Sequence, residues 1–191
     1  MEHKLTVALI YGSTRVGRFC DKVAAWVAKQ ISERDEFVVE VIDPASPPVR
    51  AAAEASDVYD LAWLRQHMSK ADAFVVVTPE YNHGYPGALK YLIDAVGAEW
   101  HAKPVAFVSY GGISGGLRAV EQLRQVFAEL HAVTIRDSVI FANAWEQFDA
   151  DGRLKSPERA GRQMETLLQR LTWWANTLRN GRNRVPYAAA V

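Results

Sequence analysis

The sequence predicts an α/β fold: one parallel sheet of five strands with helices on both faces. Two observations carry this. Five short apolar, β-branched runs, Leu5 to Tyr11, Phe37 to Ile42, Ala73 to Thr78, Val105 to Tyr110 and Val133 to Phe141, alternate with segments of helical period. Three of the strand-to-helix corners are rich in glycine and polar residues, and such corners are where open α/β sheets hold ligands. At 191 residues and 49% hydrophobic, the chain suffices for one well-buried core and is short for two. One domain is expected over residues 1–180, with an irregular tail over 181–191.

The first strand leads into Tyr11-Gly-Ser-Thr-Arg-Val-Gly-Arg-Phe-Cys20 and a helix expected from about Val16 to Ser32, whose stripe of Phe19, Val23, Trp26 and Val27 faces the core. A corner of this kind turns helix N-terminal amides toward an anion. Gly12 and Gly17 have P-loop spacing, but Arg18 and Phe19 stand where that motif needs Lys and a magnesium-binding hydroxyl. Gly-x-Gly-x-x-Gly is absent too, so nothing supports a dinucleotide pyrophosphate here. What remains is a monophosphate cradle: the Ser13 and Thr14 hydroxyls, the amides from about Thr14 to Phe19, and a guanidinium from Arg15 or Arg18. The competing reading is a capped βα turn with two exposed arginines.

After the second strand, Asp43 to Ser56 carries three prolines that keep its first half extended, and a helix follows near Asp57 to Met68. The loop either reaches over a site or a partner, or is a plain surface connection. The third strand breaks into Thr78-Pro-Glu-Tyr-Asn-His-Gly-Tyr-Pro-Gly-Ala-Leu-Lys90. Pro79 ends the strand; Glu80, Tyr81 and Asn82 offer acceptors, a ring face and an amide; Gly84 and Gly87 admit close backbone approach. The segment reads as a lip for a flat aromatic cofactor, against a turn made only of turn residues. The fourth strand ends in Ser109-Tyr-Gly-Gly-Ile-Ser-Gly-Gly-Leu-Arg118, whose glycines cost chain entropy and call for a ring edge against the backbone. A parallel sheet brings the ends of strands one, three and four to one side, so the three corners converge. The helix after the fourth strand turns Val120, Leu123, Phe127 and Leu130 inward. The last, about Ser156 to Leu178, has proline at its first position and a core stripe of Met164, Leu167, Leu168, Leu171 and Ala175. Trp173 and Trp174 are adjacent and cannot both face inward.

Lys plus Arg equals Asp plus Glu at 22 each, leaving no net field for nucleic acid or an anionic membrane and arguing against an acidic electron carrier. Cys20 is the single cysteine, which excludes an internal disulfide framework and a cysteine-based zinc site. His3, His67, His101 and His131 show no paired ligand spacing, so no metal is expected. The apolar run after Met1-Glu-His-Lys4 is too short for a signal or membrane segment, and the expectation is a cytoplasmic protein.

Together these corners resemble the NADPH-dependent FMN reductase family, flavodoxin-like proteins that include chromate, quinone and azo-dye reductases. The most specific marks are Gly12-Ser-x-Arg15 and Thr78-Pro-Glu-Tyr-Asn-x-Gly-x-Pro-Gly-Ala-Leu-Lys90. The likeness runs from Val7 to about Leu178 and includes the Asp149-Ala-Asp-Gly-Arg-Leu154 turn. It implies a flavodoxin-like three-layer sandwich with strand order 2-1-3-4-5. It places Ser13 and Arg15 on the FMN phosphate, Pro79, Glu80, Tyr81 and Asn82 along the isoalloxazine, and Ser109, Gly111 and Gly112 on its pyrimidine side. Arg18 and Cys20 stand where many relatives carry Ser and Asn, and Arg18 is expected to replace a hydroxyl contact by a charged one. The implied activity is hydride transfer from NADPH or NADH through FMN to a flavin, quinone or other small acceptor by alternating binding in one cleft. The implied assembly is a homodimer or homotetramer with flavin near the interface. No catalytic side chain is expected, since the flavin carries the chemistry. His83 is a candidate proton donor or contact to the nicotinamide phosphate, against an exposed loop histidine, and Arg118 is a candidate for the NADPH 2′-phosphate, against a solvated helix N-terminus or a salt bridge to a neighbouring subunit. A non-enzymatic FMN carrier or redox sensor is the alternative; a phosphate-loop hydrolase is disfavoured by Phe19.

Overall fold

Five parallel strands, β1 (Leu5–Tyr11), β2 (Phe37–Ile42), β3 (Ala73–Pro79), β4 (Pro104–Gly111) and β5 (Val133–Ala142), form a single sheet ordered β2-β1-β3-β4-β5 in the computed structural model, which describes residues 4–47, 49 and 60–189. β3 is buried at every position and β4 at all but its last, as the unbroken apolar runs require of strands covered on both faces. The edge strands β2 and β5 are only partly buried: β2 exposes Val38 and Val41, and β5 exposes Arg136.

On one face, α1 (Cys20–Ser32) and α6 (Pro157–Arg184) pack Val23, Val27, Leu167 and Leu171 against Val7, Leu9 and Val75. On the other, α2 (Leu61–Lys70), α3 (Gly87–Asp94) and α4 (Leu117–Glu129) supply Leu64, Leu92, Leu123 and Phe127 around Phe74, Phe107 and the fully buried Trp100. A short helix, α5 (Ala144–Gln147), follows β5. This is the expected three-layer arrangement, strand order included.

Three boundaries differ from the sequence reading. α1 starts at Cys20 rather than Val16, because Arg18 N–H closes a turn on the Arg15 carbonyl and Gly17 takes a φ of +66°, so the loop before α1 is a full turn longer. β3 runs through Pro79, which pairs with Tyr110. α6 continues past Leu178 to Arg184, so the tail expected to be irregular from residue 181 is helical through Arg184 and carries a 3-10 turn at Tyr187–Ala189; Arg182 holds the last turn of α6 by donating to the Ala102 carbonyl, and Pro186 follows. Trp173 is exposed and Trp174 packs on the core, as their adjacency demands. Asp60 caps α2 by accepting from Trp63 N–H at 2.9 Å, while the expected helix start at Asp57 and most of the proline-rich loop lie outside the described residues. Among the described residues no helix is long and apolar enough to cross a membrane.

Candidate functional site

The C-terminal ends of β1, β3 and β4 meet at one edge of the sheet. Gly12 lets β1 hug β3: its N–H donates to the Val77 carbonyl at 2.7 Å, and a Cβ on Gly12 would sit 2.7 Å from that same oxygen. The next residue, Ser13, is fully buried, with its hydroxyl 2.7 Å from the Tyr81 hydroxyl. Arg15 lays its guanidinium 3.6 Å over the Tyr81 ring. The first corner and the lip after β3 are therefore one continuous wall. The amides of Thr14, Val16 and Gly17 have no partner among the described residues, which leaves them free for an anion.

Arg18 spends its guanidinium on two carboxylates and a backbone carbonyl. Nε donates to Asp21 at 2.7 Å, Nη1 to Asp43 Oδ1 at 2.7 Å and to the Ser13 carbonyl, and Nη2 to Asp43 Oδ2. Four of its five N–H groups are thus spent, its side chain is only 10% exposed, and the hydrogen bond to Asp43 holds its pKa above the ordinary guanidinium range. Arg18 therefore fastens the loop to the end of β2, while Arg15 keeps its guanidinium over the Tyr81 ring.

The Glu80 side chain is engaged as well. Its carboxylate turns to α4, with Oε1 accepting from Arg118 Nη1 at 2.6 Å and Oε2 from Arg118 N–H at 3.1 Å. The α4 N-cap is Gly116, which has no side chain to do this, so Glu80 caps the helix from another element. Burial pushes the Glu80 carboxyl up, but the hydrogen bonds and charge of Arg118 outweigh it and the net pKa is lowered from 4.5. The stability this gives is fully present above the unfolded value and is lost as pH falls through the lower folded one. Glu80→Gln is expected to cost about 2 kcal/mol at pH 7, roughly 5 °C in Tm. Thermal scans should show wild type and variant converging well below pH 4.5; a gap that persists there would remove the ionic part of this account.

The lip turns through Asn82 and His83, both at positive φ (50° and 68°), closed by paired hydrogen bonds between Tyr81 and Gly84. Asn tolerates that conformation, and Gln122 on α4 supports it by donating to the His83 carbonyl. The His83 ring is exposed. Across the cleft, Gly115 and Gly116 fold the glycine corner against β4 and β5: Cβ atoms there would meet Ile140 at 2.4 Å and Ser109 at 2.7 Å. Gly112 is open, with only the tip of Trp145 within reach of its missing Cβ, at 3.7 Å. Trp145 on α5, 59% exposed, walls the corner from the end of β5 and was missed in the sequence; an aromatic directly after a fifth strand was the available signal. The Ser109 hydroxyl is buried without a partner. Beneath the loop, burial pushes the Cys20 thiol up to about 11 and raises Tyr110, so neither offers an anion near neutral pH.

The sequence profile described as NADPH-dependent FMN reductase matches residues 5–146. The chain belongs to that family. Among its relatives is the yeast NAD(P)H-dependent FMN reductase LOT6 of Saccharomyces cerevisiae, 35% identical over 64% of this chain and 73% of that protein. A probable NADPH:quinone oxidoreductase 2 of Oryza sativa is 33% identical over 81% of each. In three dimensions the chain resembles the flavoenzyme NAD(P)H:(acceptor) oxidoreductase FerB of Paracoccus denitrificans, with a TM-score of 0.67, 22% identity, and coverage of 92% of this chain and 98% of that one. The family makes this an oxidoreductase that uses FMN and a reduced nicotinamide. The residues present fit that group: free loop amides and Arg15 for a phosphate, the Tyr81 lip, an unsatisfied Ser109 hydroxyl, and an open backbone at Gly112.

Proposed function

We propose that the chain is an NAD(P)H oxidoreductase acting on flavins, quinones or similar small acceptors, with FMN held in this cleft. The observation that carries it is the Ser13–Tyr81 hydrogen bond, which makes the anion cradle and the ring-lining lip a single wall. Arg15 neutralises the phosphate and the amides of Thr14, Val16 and Gly17 donate to it. Pro79, Tyr81 and Asn82 line the ring, and Ser109, Gly111 and Gly112 present a hydroxyl and backbone to its edge. The chemistry that FMN supplies when bound is hydride relay from NADPH or NADH to the acceptor. The chain's remaining task is to leave one approach open, at Gly112 beside Trp145, for donor and acceptor in turn.

Flanking this mouth, the exposed apolar side chains Val16 and Ile113 support a homodimer or homotetramer that covers them. The single, buried cysteine suits a reducing cytoplasm. One experiment tests the reading: size-exclusion chromatography of FMN-loaded protein with absorbance and light scattering, then anaerobic addition of NADPH. Flavin co-eluting with a multimer and bleaching on NADPH is expected. Failure to retain FMN would overturn the cofactor site, retention without bleaching would point to a carrier or sensor, and a monomer would remove the interface.

A further inference from the structure

A groove of about 900 Å³ runs along the outer edge of β5, between α4 and α6. Its α6 side is the stripe Arg159, Arg162, Gln163 and Thr166, spaced i, i+3, i+4, i+7, on the helix face turned away from the core residues Met164 and Leu168. Its β5 side is the bulged stretch where the register shifts, between Val105 pairing with Thr134 and Phe107 pairing with Ser138, which re-aims Arg136 outward. Both carboxylates that line the groove are already engaged: Glu121 accepts from Arg124 at 3.0 Å and Asp137 from Arg170 at 2.9 Å. Arg124 is further committed to the Ile135 and Arg136 carbonyls, so it seals the strand edge. Arg136, Arg159 and Arg162 are exposed, and their guanidinium groups have no hydrogen-bond or ion-pair partner among the described residues. In a chain of zero net charge, three uncompensated guanidinium groups around one concavity describe an anion site.

Its size suits a nucleotide rather than a lone ion or an extended macromolecule. Its position suits one particular nucleotide. The groove begins at Leu117, the first residue of α4 and the neighbour of Gly116 in the glycine corner, and reaches Arg124 about 10 Å further along the helix. We propose that it holds the phosphate-bearing adenosine half of NADPH, with Arg159 and Arg162 as ligands to the 2′-phosphate and Arg136 to the pyrophosphate, while the nicotinamide end reaches the cleft at Gly112. This rests on the flavin reading above, and it makes the protein selective for NADPH over NADH, because guanidinium forks match the phosphate that NADH lacks.

The test compares full-length FMN-loaded protein with the double variant Arg159→Ala/Arg162→Ala and the charge-retaining Arg159→Lys/Arg162→Lys. KM for NADPH is expected to rise at least about tenfold in the alanine variant, with KM for NADH changing less than about twofold and the lysine variant in between. Calorimetric titration with 2′,5′-ADP should show a matching loss of affinity in the alanine variant, whereas 5′-ADP should bind weakly to all three. Equal changes for both donors, or 2′,5′-ADP binding that is absent or insensitive to the substitutions, would overturn the proposal. FMN loading, read by absorbance in the same samples, reports separately on the flavin site. A protein that fails to load FMN yet binds 2′,5′-ADP through these arginines would sink the flavin reading and leave the anion groove standing.

Discussion

Replacing Gly12 by valine is expected to destabilise the protein by about 3 kcal/mol or more, lowering Tm by roughly 10 °C, and to abolish FMN loading under conditions where the wild type saturates. The Cβ alone would lie 2.7 Å from the Val77 carbonyl oxygen and 3.0 Å from the Thr78 Cα. Both atoms belong to the backbone of a central strand buried along its whole length, which cannot yield as a surface side chain would. The end of β1 must instead move away, breaking the Gly12 N–H bond to Val77 and pulling Ser13 off Tyr81. Stability and flavin binding should therefore fall together. Gly12→Ala meets the same clash without the added methyls and should show both effects at smaller size. Thermal unfolding and FMN titration of the two variants check this; a variant that keeps its Tm but loses FMN, or the reverse, would separate the two roles joined here at one residue.

Strands and layers were legible because the central strands are buried on both faces, so their runs are unbroken: Val75-Val-Val77 and Val105-Ala-Phe-Val108 have few other homes. The converging corners were legible for a related reason, since glycine and turn residues at three strand ends need no knowledge of side-chain partners. What escaped was every feature decided by a distant partner. Arg15 and Arg18 look interchangeable in sequence, yet Asp43, brought over by the end of β2, engages Arg18 alone of the two. Glu80 has the chemistry of a ring contact, yet α4 lacks its own cap and Arg118 draws the carboxylate away. The start of α1 was misplaced because Val16 to Phe19 fit a helix as readily as the turn that Gly17 forms at positive φ. Propensity cannot choose between those two, and the tertiary tie from Arg18 to Ser13 and Asp43 does.

That division between the arginines gives the second large effect. Arg15→Ala is expected to raise the Kd for FMN by about ten- to a hundredfold, the range for losing charge-assisted hydrogen bonds to a phosphate. It should leave the flavin-free protein nearly as stable as wild type, because Arg15 is exposed and its stacking on Tyr81 at 3.6 Å contributes only about 0.5–1 kcal/mol. Arg18→Ala should do the opposite. It strands the Asp43 carboxylate, 17% exposed, without its fork and should lower stability by about 2–3 kcal/mol. FMN affinity at temperatures where that variant is folded should fall much less than in Arg15→Ala. Arg15→Lys keeps the charge but not the fork and should recover part of the lost affinity, with a dependence on salt steeper than that of the alanine variant. Fluorescence titration of FMN into each protein, alongside thermal unfolding without flavin, reads both quantities. Should Arg18→Ala lose FMN while Arg15→Ala retains it, the cation of the cradle is Arg18, and its fork onto Asp43 must open when the phosphate binds.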